Sequence, residues 1–502
     1  MALNLLSDPW IPVVRGKSTV TIRPDQIEEP GVARLAWPRP DLNLACLELL
    51  IGLVSMADPP TDRVDWRSRL VNPDTGRLRG ALEAFAPHFE LTGDGPRFLQ
   101  DLEVFEETAK TADINPVDML YIDSAGNSTA LKNADLMVKR RRYTSLSPAE
   151  AAMALYTLQA FAPSGGSGNR TSMRGGGPMT TLVRPIDYDH AAYPLWRLVF
   201  ANVLPGIPLA AGDAETALPW LRPTRTSKLE SEITTPDDSH PLEAFFGMPR
   251  RLRLVFENDR VTGVVQRPYG TNYGGWYDHP LTPYYRRREE DPEWLPVHPR
   301  PGRLSYRNWL GTTLESAAQG KGIRRTARTI RECRNVGSHA PDFEVMAGGW
   351  AMDNMKPMDF SVHVYPGFPG LDEDGESRVH QLVDAANTAS GALRKALKYA
   401  GKLDGASARA DETFFGETEG EFEASVRRIT AGEQEVEEKW HGTLRGHAVG
   451  IFDERTLGGL AERDIAKVEK QLAARRNLQI ALARQVREKL CLPILAKGEK
   501  RK

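Results

Sequence analysis

Asp464-Ile-Ala-Lys-Val-Glu-Lys-Gln-Leu-Ala-Ala-Arg-Arg-Asn-Leu-Gln-Ile-Ala-Leu-Ala-Arg-Gln-Val-Arg-Glu-Lys-Leu490 reads as one amphipathic helix. Ile465, Val468, Leu472, Leu478, Leu482, Val486 and Leu490 recur at near-helical spacing. The stretch lies in a wider region without proline. The chain has 36 prolines, yet none falls between Pro369 and Pro493, where its own average frequency would place about nine. Proline costs about 3 kcal/mol inside a helix, so its absence over so long a span predicts mostly helix. Three more amphipathic segments fit, Glu376–Lys402, Glu412–Thr430 and Glu433–Asp453, with stops at Gly401 and Gly458-Gly459. Four helices with short links predict an all-α four-helix bundle over residues 371–502.

Residues 1–370 have a different texture, rich in proline, glycine and aromatics. Leu252-Arg-Leu-Val-Phe256 and Val261-Thr-Gly-Val-Val-Gln266 are strand candidates, and Glu257-Asn-Asp-Arg260 between them predicts a hairpin. Helices are expected near Leu42–Ala57, Pro148–Phe161 and Ser305–Gln319. The fold class is therefore α+β, a large mixed N-terminal domain followed by the bundle. No internal repeat is visible.

The 502 residues carry a formal net charge of −2, with 40% apolar and 26% charged residues. This is ordinary soluble composition and excludes a molecule that binds nucleic acid by overall basicity. The three cysteines, Cys46, Cys333 and Cys491, form no Cys-x-x-Cys pair. A disulfide framework and a cysteine-rich zinc site are not expected, and the chain reads as reduced and cytoplasmic. No secretory signal opens it. Leu42 to Met56, ending at Asp58-Pro59-Pro60, reads as a buried helix and not as a membrane span.

The stretch Pro163-Ser-Gly-Gly-Ser-Gly-Asn-Arg-Thr-Ser-Met-Arg-Gly-Gly-Gly-Pro-Met-Thr-Thr181 holds six glycines between Gly165 and Gly177, with Arg170 and Arg174 among them. The ordinary reading of such a stretch is a flexible connection. Glycine also lets backbone N–H groups approach an anion, and arginine suits phosphate. The Walker lysine is missing, and no strand–loop–helix unit carries an acidic residue at dinucleotide spacing. A phosphodiester-backbone nest is the functional reading that survives. Basic clusters add to it: Lys139-Arg-Arg-Arg142, Tyr284-Tyr-Arg-Arg-Arg288 and Lys321-Gly-Ile-Arg-Arg-Thr-Ala-Arg328. Singly such clusters are usually solvated surface; together they fit a phosphate track. No His-Glu-x-x-His, Gly-x-Ser-x-Gly or His-Asp pair is present, so no catalytic residue is named and an enzyme is not expected. The rival readings are a nucleotide-binding enzyme that cradles a triphosphate on Ser164 to Gly177, and an assembly scaffold that does not touch DNA.

Four features in order resemble one family. They are Asn4-Leu-Leu-Ser-Asp-Pro-Trp-Ile-Pro-Val13, Thr171-Ser-Met-Arg-Gly-Gly-Gly-Pro-Met-Thr-Thr-Leu-Val183, Phe343-Glu-Val-Met-Ala-Gly-Gly-Trp-Ala-Met-Asp-Asn-Met-Lys356 and the proline-free helical C-terminus. The chain resembles, end to end, the CasA-type large subunit of the type I-E CRISPR Cascade complex. The resemblance implies a non-catalytic subunit without cofactor. It would read the short motif beside the target (the PAM) in double-stranded DNA through the minor groove, help open the duplex and hold the displaced strand. Its implied partners are the guide RNA 5′ end, other Cascade subunits and a recruited helicase–nuclease, with no membrane. Guide RNA would read the target itself.

Family roles fall on matching positions. The loop that meets the motif and the guide matches about Tyr121–Tyr143, with its core on Leu131, Lys132 and Asn133; Leu131 stands where the family has an aromatic residue. The glycine loop falls on Ser164, Gly165, Gly166, Ser167 and Gly168, where a backbone without side chains can enter a narrow groove. The wedge, a β-hairpin tip, falls on Asp353 and Asn354. Asn354 replaces the family's glutamine, and Met355 supplies apolar bulk of the kind that unstacks a base step. Asp and Asn are equally ordinary turn residues. The minor-groove finger has no clean match, and Arg286, Arg287 and Arg288 are its candidates. Some relatives carry a cysteine-rich metal site; this chain lacks those cysteines, so no zinc is expected.

Overall fold

The computed structural model describes residues 3–494 except 125–141, 167, 188–190, 230–231, 289, 303, 318–322, 336–341, 355, 369, 402–403 and 459–463. The fold is α+β. Its contacts gather into two units. One comprises residues 1–301, 326–336 and 345–362; the other comprises residues 302–325, 337–344 and 363–502. The single boundary expected after residue 370 is replaced by an interleaved one.

The first unit begins with a turn built by Asn4. Its Oδ1 accepts the Leu6 and Ser7 N–H groups at 3.0 and 2.9 Å, while its own N–H donates to Asp8 Oδ2 at 2.8 Å. This sends Trp10 into the core, where its indole N–H donates to the Leu5 carbonyl at 2.8 Å. The opening motif is thus a fold-making turn. β1 (Ile11–Arg15), β2 (Ser18–Ile22) and β3 (Val32–Leu35) then form a sheet of order β2-β1-β3.

α1 (Pro40–Ala57) is buried along most of its length and packs on α2 (Pro148–Phe161). Pro40 opens α1 with its φ already helical, at a position that needs no N–H. α2 starts on a reciprocal cap: Ser147 Oγ accepts the Glu150 N–H, and the Glu150 carboxylate accepts the Ser147 N–H. Both helices lie where the sequence puts them.

β4 (Ile114–Pro116) pairs with the second strand of a hairpin whose arms are β6 (Arg251–Glu257) and β7 (Arg260–Arg267). Asn258 and Asp259 both take positive φ, 50° and 59°, at its turn. Two such residues in succession match the twist of the flanking strands. β5 (Thr180–Pro185) belongs to a third sheet with β8 (Phe343–Asp353) and β9 (Lys356–Pro366), in the order β9-β8-β5.

The second unit contains α3 (Glu373–Tyr399), α4 (Asp404–Thr430), α5 (Val436–Thr456) and α6 (Ile465–Ala481). α6 runs on through a π turn, Leu482–Val486, into Arg487–Lys489. α3 packs against the other three helices. Asp372 starts α3 by accepting the Gly375 N–H at 2.8 Å, three residues earlier than the pattern indicated. Tyr306 lies in the core of this unit, stacked on Phe422 at 4.3 Å and edge-on to Phe415 and Trp440. Its hydroxyl meets Thr418 Oγ1 at 2.7 Å. Burial of this ring attaches residues 302–325 to the helices.

Two expectations are corrected. Ser305–Gln319 is not one helix: a 3₁₀ turn (Tyr306–Asn308) leads into a four-residue helix (Trp309–Thr312) with non-helical Leu310 and Gly311, and a strand pair begins at Ser316. Gly311 takes φ +90°, and a Cβ there would stand 3.0 Å from Arg324 Cβ, so the chain turns where only glycine fits. In α6, Ile465 and Leu472 face outward, 75% and 49% exposed. The buried seam is Gln471, Ala474, Leu478, Leu482 and Val486. Leu472 and Leu478 are six residues and about 240° apart on a helix, so they cannot share a face.

Candidate nucleic-acid interface

The glycine-rich stretch has two halves with different jobs. The first is an exposed loop. Ser164, Gly165 and Gly166 face solvent, and Gly166 and Gly168 take φ of +93° and +78°. Asn169 ties the loop: its N–H donates to the Gly166 carbonyl at 3.1 Å, and its Nδ2 to the Gly165 carbonyl at 2.7 Å. Its Oδ1 accepts from Gln266 Nε2 at 2.8 Å. The Tyr269 N–H donates to the Gly168 carbonyl at 2.6 Å, and an Arg250 Nη2–H to the Pro163 carbonyl. The segment is pinned at both ends, which a flexible connection would not be. Arg170, expected to face phosphate, donates from Nε to Ser227 Oγ at 2.8 Å and from Nη2 to the Ser227 carbonyl at 2.7 Å. Ser167 lies outside the described residues.

The second half is an internal staple. Arg174 was a candidate phosphate ligand, and this is corrected by its burial. It is 2% exposed and ion-paired with Glu48 of α1, itself 1% exposed, at 2.7 Å. Its remaining donors reach Thr180 Oγ1, Thr282 Oγ1 and the Ala160 carbonyl. The Thr180 hydroxyl donates to the same Glu48 carboxylate. The Arg-Gly-Gly-x-Pro-x-Thr-Thr signature is thus a buried charge pair with its hydrogen-bonding shell. Burial, with the nearby Arg174 charge, pushes His279 well below the ordinary histidine range. It sits neutral, accepting the Leu281 N–H at Nδ1 and reaching the Ala244 carbonyl through Nε2.

The staple delivers the chain into β5, which pairs with β8. β8 ends at Asp353, and β9 starts at Lys356. Asp353 and Asn354 therefore stand at a hairpin tip, both exposed. Asn354 adopts φ +47°, the left-handed region that asparagine tolerates better than most residues. Its Nδ2 donates to Asp353 Oδ1 at 3.2 Å. Met355 lies outside the described residues.

Leu131, Lys132 and Asn133 also lie outside the described residues, as do Lys139, Arg140 and Arg141. The residues flanking that loop are described, and they form a clamp that sequence reading missed. Tyr121 and Tyr143 stack at 4.5 Å. Arg39 lies over Tyr121 at 4.7 Å, and Arg142 over Tyr143 at 5.1 Å. Arg39 also pairs with Asp41 and Asp123, each at 2.9 Å. An aromatic residue at each end of a polar loop was the available signal.

Among the finger candidates, Arg286 is half-buried and lies over the Trp294 ring at 4.5 Å. Arg287 and Arg288 are exposed. Of the third basic cluster, residues 321 and 322 lie outside the described residues.

The model of the CRISPR-associated protein Cse1 family matches residues 4–451. The chain belongs to the Cse1 family. Solved structures share the fold at low identity. CasA of Thermus thermophilus superposes with a TM-score of 0.72 at 18% identity, over 96% of this chain and 99% of that one. Cse1 of Thermobifida fusca gives 0.71 at 18% identity, over 97% and 98%. A chain of a CRISPR RNA-guided surveillance complex gives 0.66 at 16% identity, over 95% and 99%. This Cse1 protein thus keeps the family fold while most of its side chains differ, so each site residue has to be argued from its own surroundings.

Proposed function

We propose that this Cse1 protein is the non-catalytic large subunit of a type I-E surveillance complex, and that it recognises the PAM in duplex DNA through the minor groove. One observation carries the reading. Two elements lead to paired strands of one sheet: the loop with exposed Ser164, Gly165 and Gly166 runs through the buried Arg174 staple into β5, and the exposed Asp353-Asn354 tip ends β8. A rigid mount is what a groove-reading loop and a strand-separating tip require, since a contact that must displace base pairs cannot yield first. The related chain in an RNA-guided surveillance complex supports guide RNA and further Cascade subunits as partners.

In this reading the side-chain-free loop enters the minor groove, where A·T and G·C pairs differ mainly by the guanine amino group. Several related PAM sequences are then tolerated. Asn354 and Met355 act at the first base step beyond the motif, with Met355 giving the apolar wedge. Leu131, Lys132 and Asn133 contact the motif and the guide 5′ end, and Arg287 or Arg288 reaches the phosphate track. The same subunit holds the displaced strand and helps recruit the helicase–nuclease in the cytoplasm.

The test is binding of a guide-loaded complex, with and without this subunit, to duplexes bearing matched targets and randomised flanks. Flank-dependent binding that requires the subunit is expected. Equal binding without it would leave only a scaffold role.

A further inference from the structure

Arginine is rarely buried alone, because removing an ion from water costs several kcal/mol unless a partner replaces the solvent. The described residues follow that rule with one exception. Arg39, Arg69, Arg174, Arg197, Arg253 and Arg487 are buried, and each holds a carboxylate: Asp41, Asp58, Glu48, Asp187, Glu106 and Glu438. Arg250 is 6% exposed and holds none. Its Nη2 donates to the Pro163 carbonyl, and its Nε–H is buried without a partner. Burial alone pushes this guanidinium down to about 10.

The position of this charge is specific. A Cβ on Gly165 would lie 2.7 Å from Arg250 Nη1 and 3.0 Å from Nη2, so the guanidinium rests against the backbone of the exposed loop. The N–H groups of Gly165, Gly166 and Gly168 have no hydrogen-bond partner among the described residues. A buried positive charge therefore underlies a solvent-facing turn with free donors. Field from a charge in a low-dielectric wall emerges through that turn with little screening.

We propose that Arg250 supplies the charge of the glycine loop: it holds the loop through the Pro163 carbonyl, and one nucleic-acid phosphate seated over Gly165 and Gly166 completes its charge balance. The inference rests on the DNA-binding reading above and adds to it a residue, a ligand group and a stoichiometry of one phosphate.

Two variants in the assembled, guide-loaded complex separate position from charge. R250Q removes the charge, and its amide nitrogen ends two bonds short of the Nη2 that meets the Pro163 carbonyl; R250K also shortens the side chain but keeps the charge. Affinity for a matched duplex is measured from low to moderate salt. The expected result for R250Q is a salt slope lowered by about 0.9, the value for one lost phosphate contact, with roughly tenfold weaker binding at low salt. R250K should hold the wild-type slope. A wild-type slope in R250Q, or equal loss in both variants, would overturn the proposal. A second measurement needs no variant. Duplexes with single neutral methylphosphonates across the PAM flank are bound to the wild-type complex. One position should weaken binding about tenfold; uniform affinity across the scan overturns the proposal. Absence of subunit-dependent binding in the wild-type complex would sink the DNA-binding reading itself, whereas normal binding with a flat scan removes only the role of Arg250.

Discussion

Arg174→Ala should unfold the first unit more readily instead of loosening a DNA contact. The substitution leaves the Glu48 carboxylate buried without its cation, and strips donors from Thr180, Thr282 and the Ala160 carbonyl. Breaking a buried pair from one side costs about 3–5 kcal/mol. The first unit has about 330 residues, so at about 2.1 cal/mol/K per residue the loss lowers its melting transition by about 4–7 °C. Differential scanning calorimetry of the purified chain reads this directly. The double variant Glu48→Leu/Arg174→Met replaces the pair with apolar groups of similar length and should recover most of the loss, because the stranded charge is gone. A single variant that melts within about 1 °C of wild type, or a double variant no better than the single, would refute the assignment of Arg174 to the core. Any DNA-binding defect of Arg174→Ala should track its folded fraction.

Other outcomes follow from the same geometry. Glu28 is raised from 4.5 to about 7 by burial, so its contribution to stability is full below about pH 4.5 and is lost as pH rises through 7. Asp58, raised by the same cause, adds the same sign. Denaturant titrations of wild type and E28Q should therefore diverge above pH 5, with E28Q the more stable near pH 8; parallel curves would count against it. Leu478→Ala should cost about 2–5 kcal/mol, and Leu472→Ser should stay within about 0.5 kcal/mol, since only the first faces the bundle core. The reverse order in urea midpoints would restore the face predicted from spacing. Tyr306→Phe keeps the stacked ring, loses the bond to Thr418 and should cost about 1 kcal/mol in the transition of the helical unit.

What the sequence made legible was local. Apolar spacing, the absence of proline and the Glu257-Asn-Asp-Arg260 turn are all read along the chain itself, so pattern was enough to find α1 to α6 and the β6–β7 hairpin. The failures involve partners far away in the chain. Arg174 looked like a phosphate ligand because its neighbours are glycines, while its counter-charge, Glu48, is 126 residues distant. Arg250 went unnoticed for the opposite reason, since a missing carboxylate leaves no mark in a sequence. The helix drawn over Ser305–Gln319 failed at Gly311, whose constraint comes from Arg324 packed against it. In α6 the apolar positions were read correctly as helical, but a six-residue step between Leu472 and Leu478 moved the seam to another face. The hairpin tip at Asp353-Asn354 was located through resemblance; composition alone offered an ordinary turn there.

The aromatic plug at Tyr306 bears on how the chain is made. Residues 302–325 leave the ribosome before residues 345–362, which complete the first unit, and well before the helices that enclose them. The early segments of the second unit must wait for helices made after the first unit is complete, and the chain passes between the two five times. A protease cutting one connection would therefore release neither piece intact. A helical fragment begun at residue 371 would lack the ring that fills its centre, leaving Phe415, Phe422 and Trp440 around a hole.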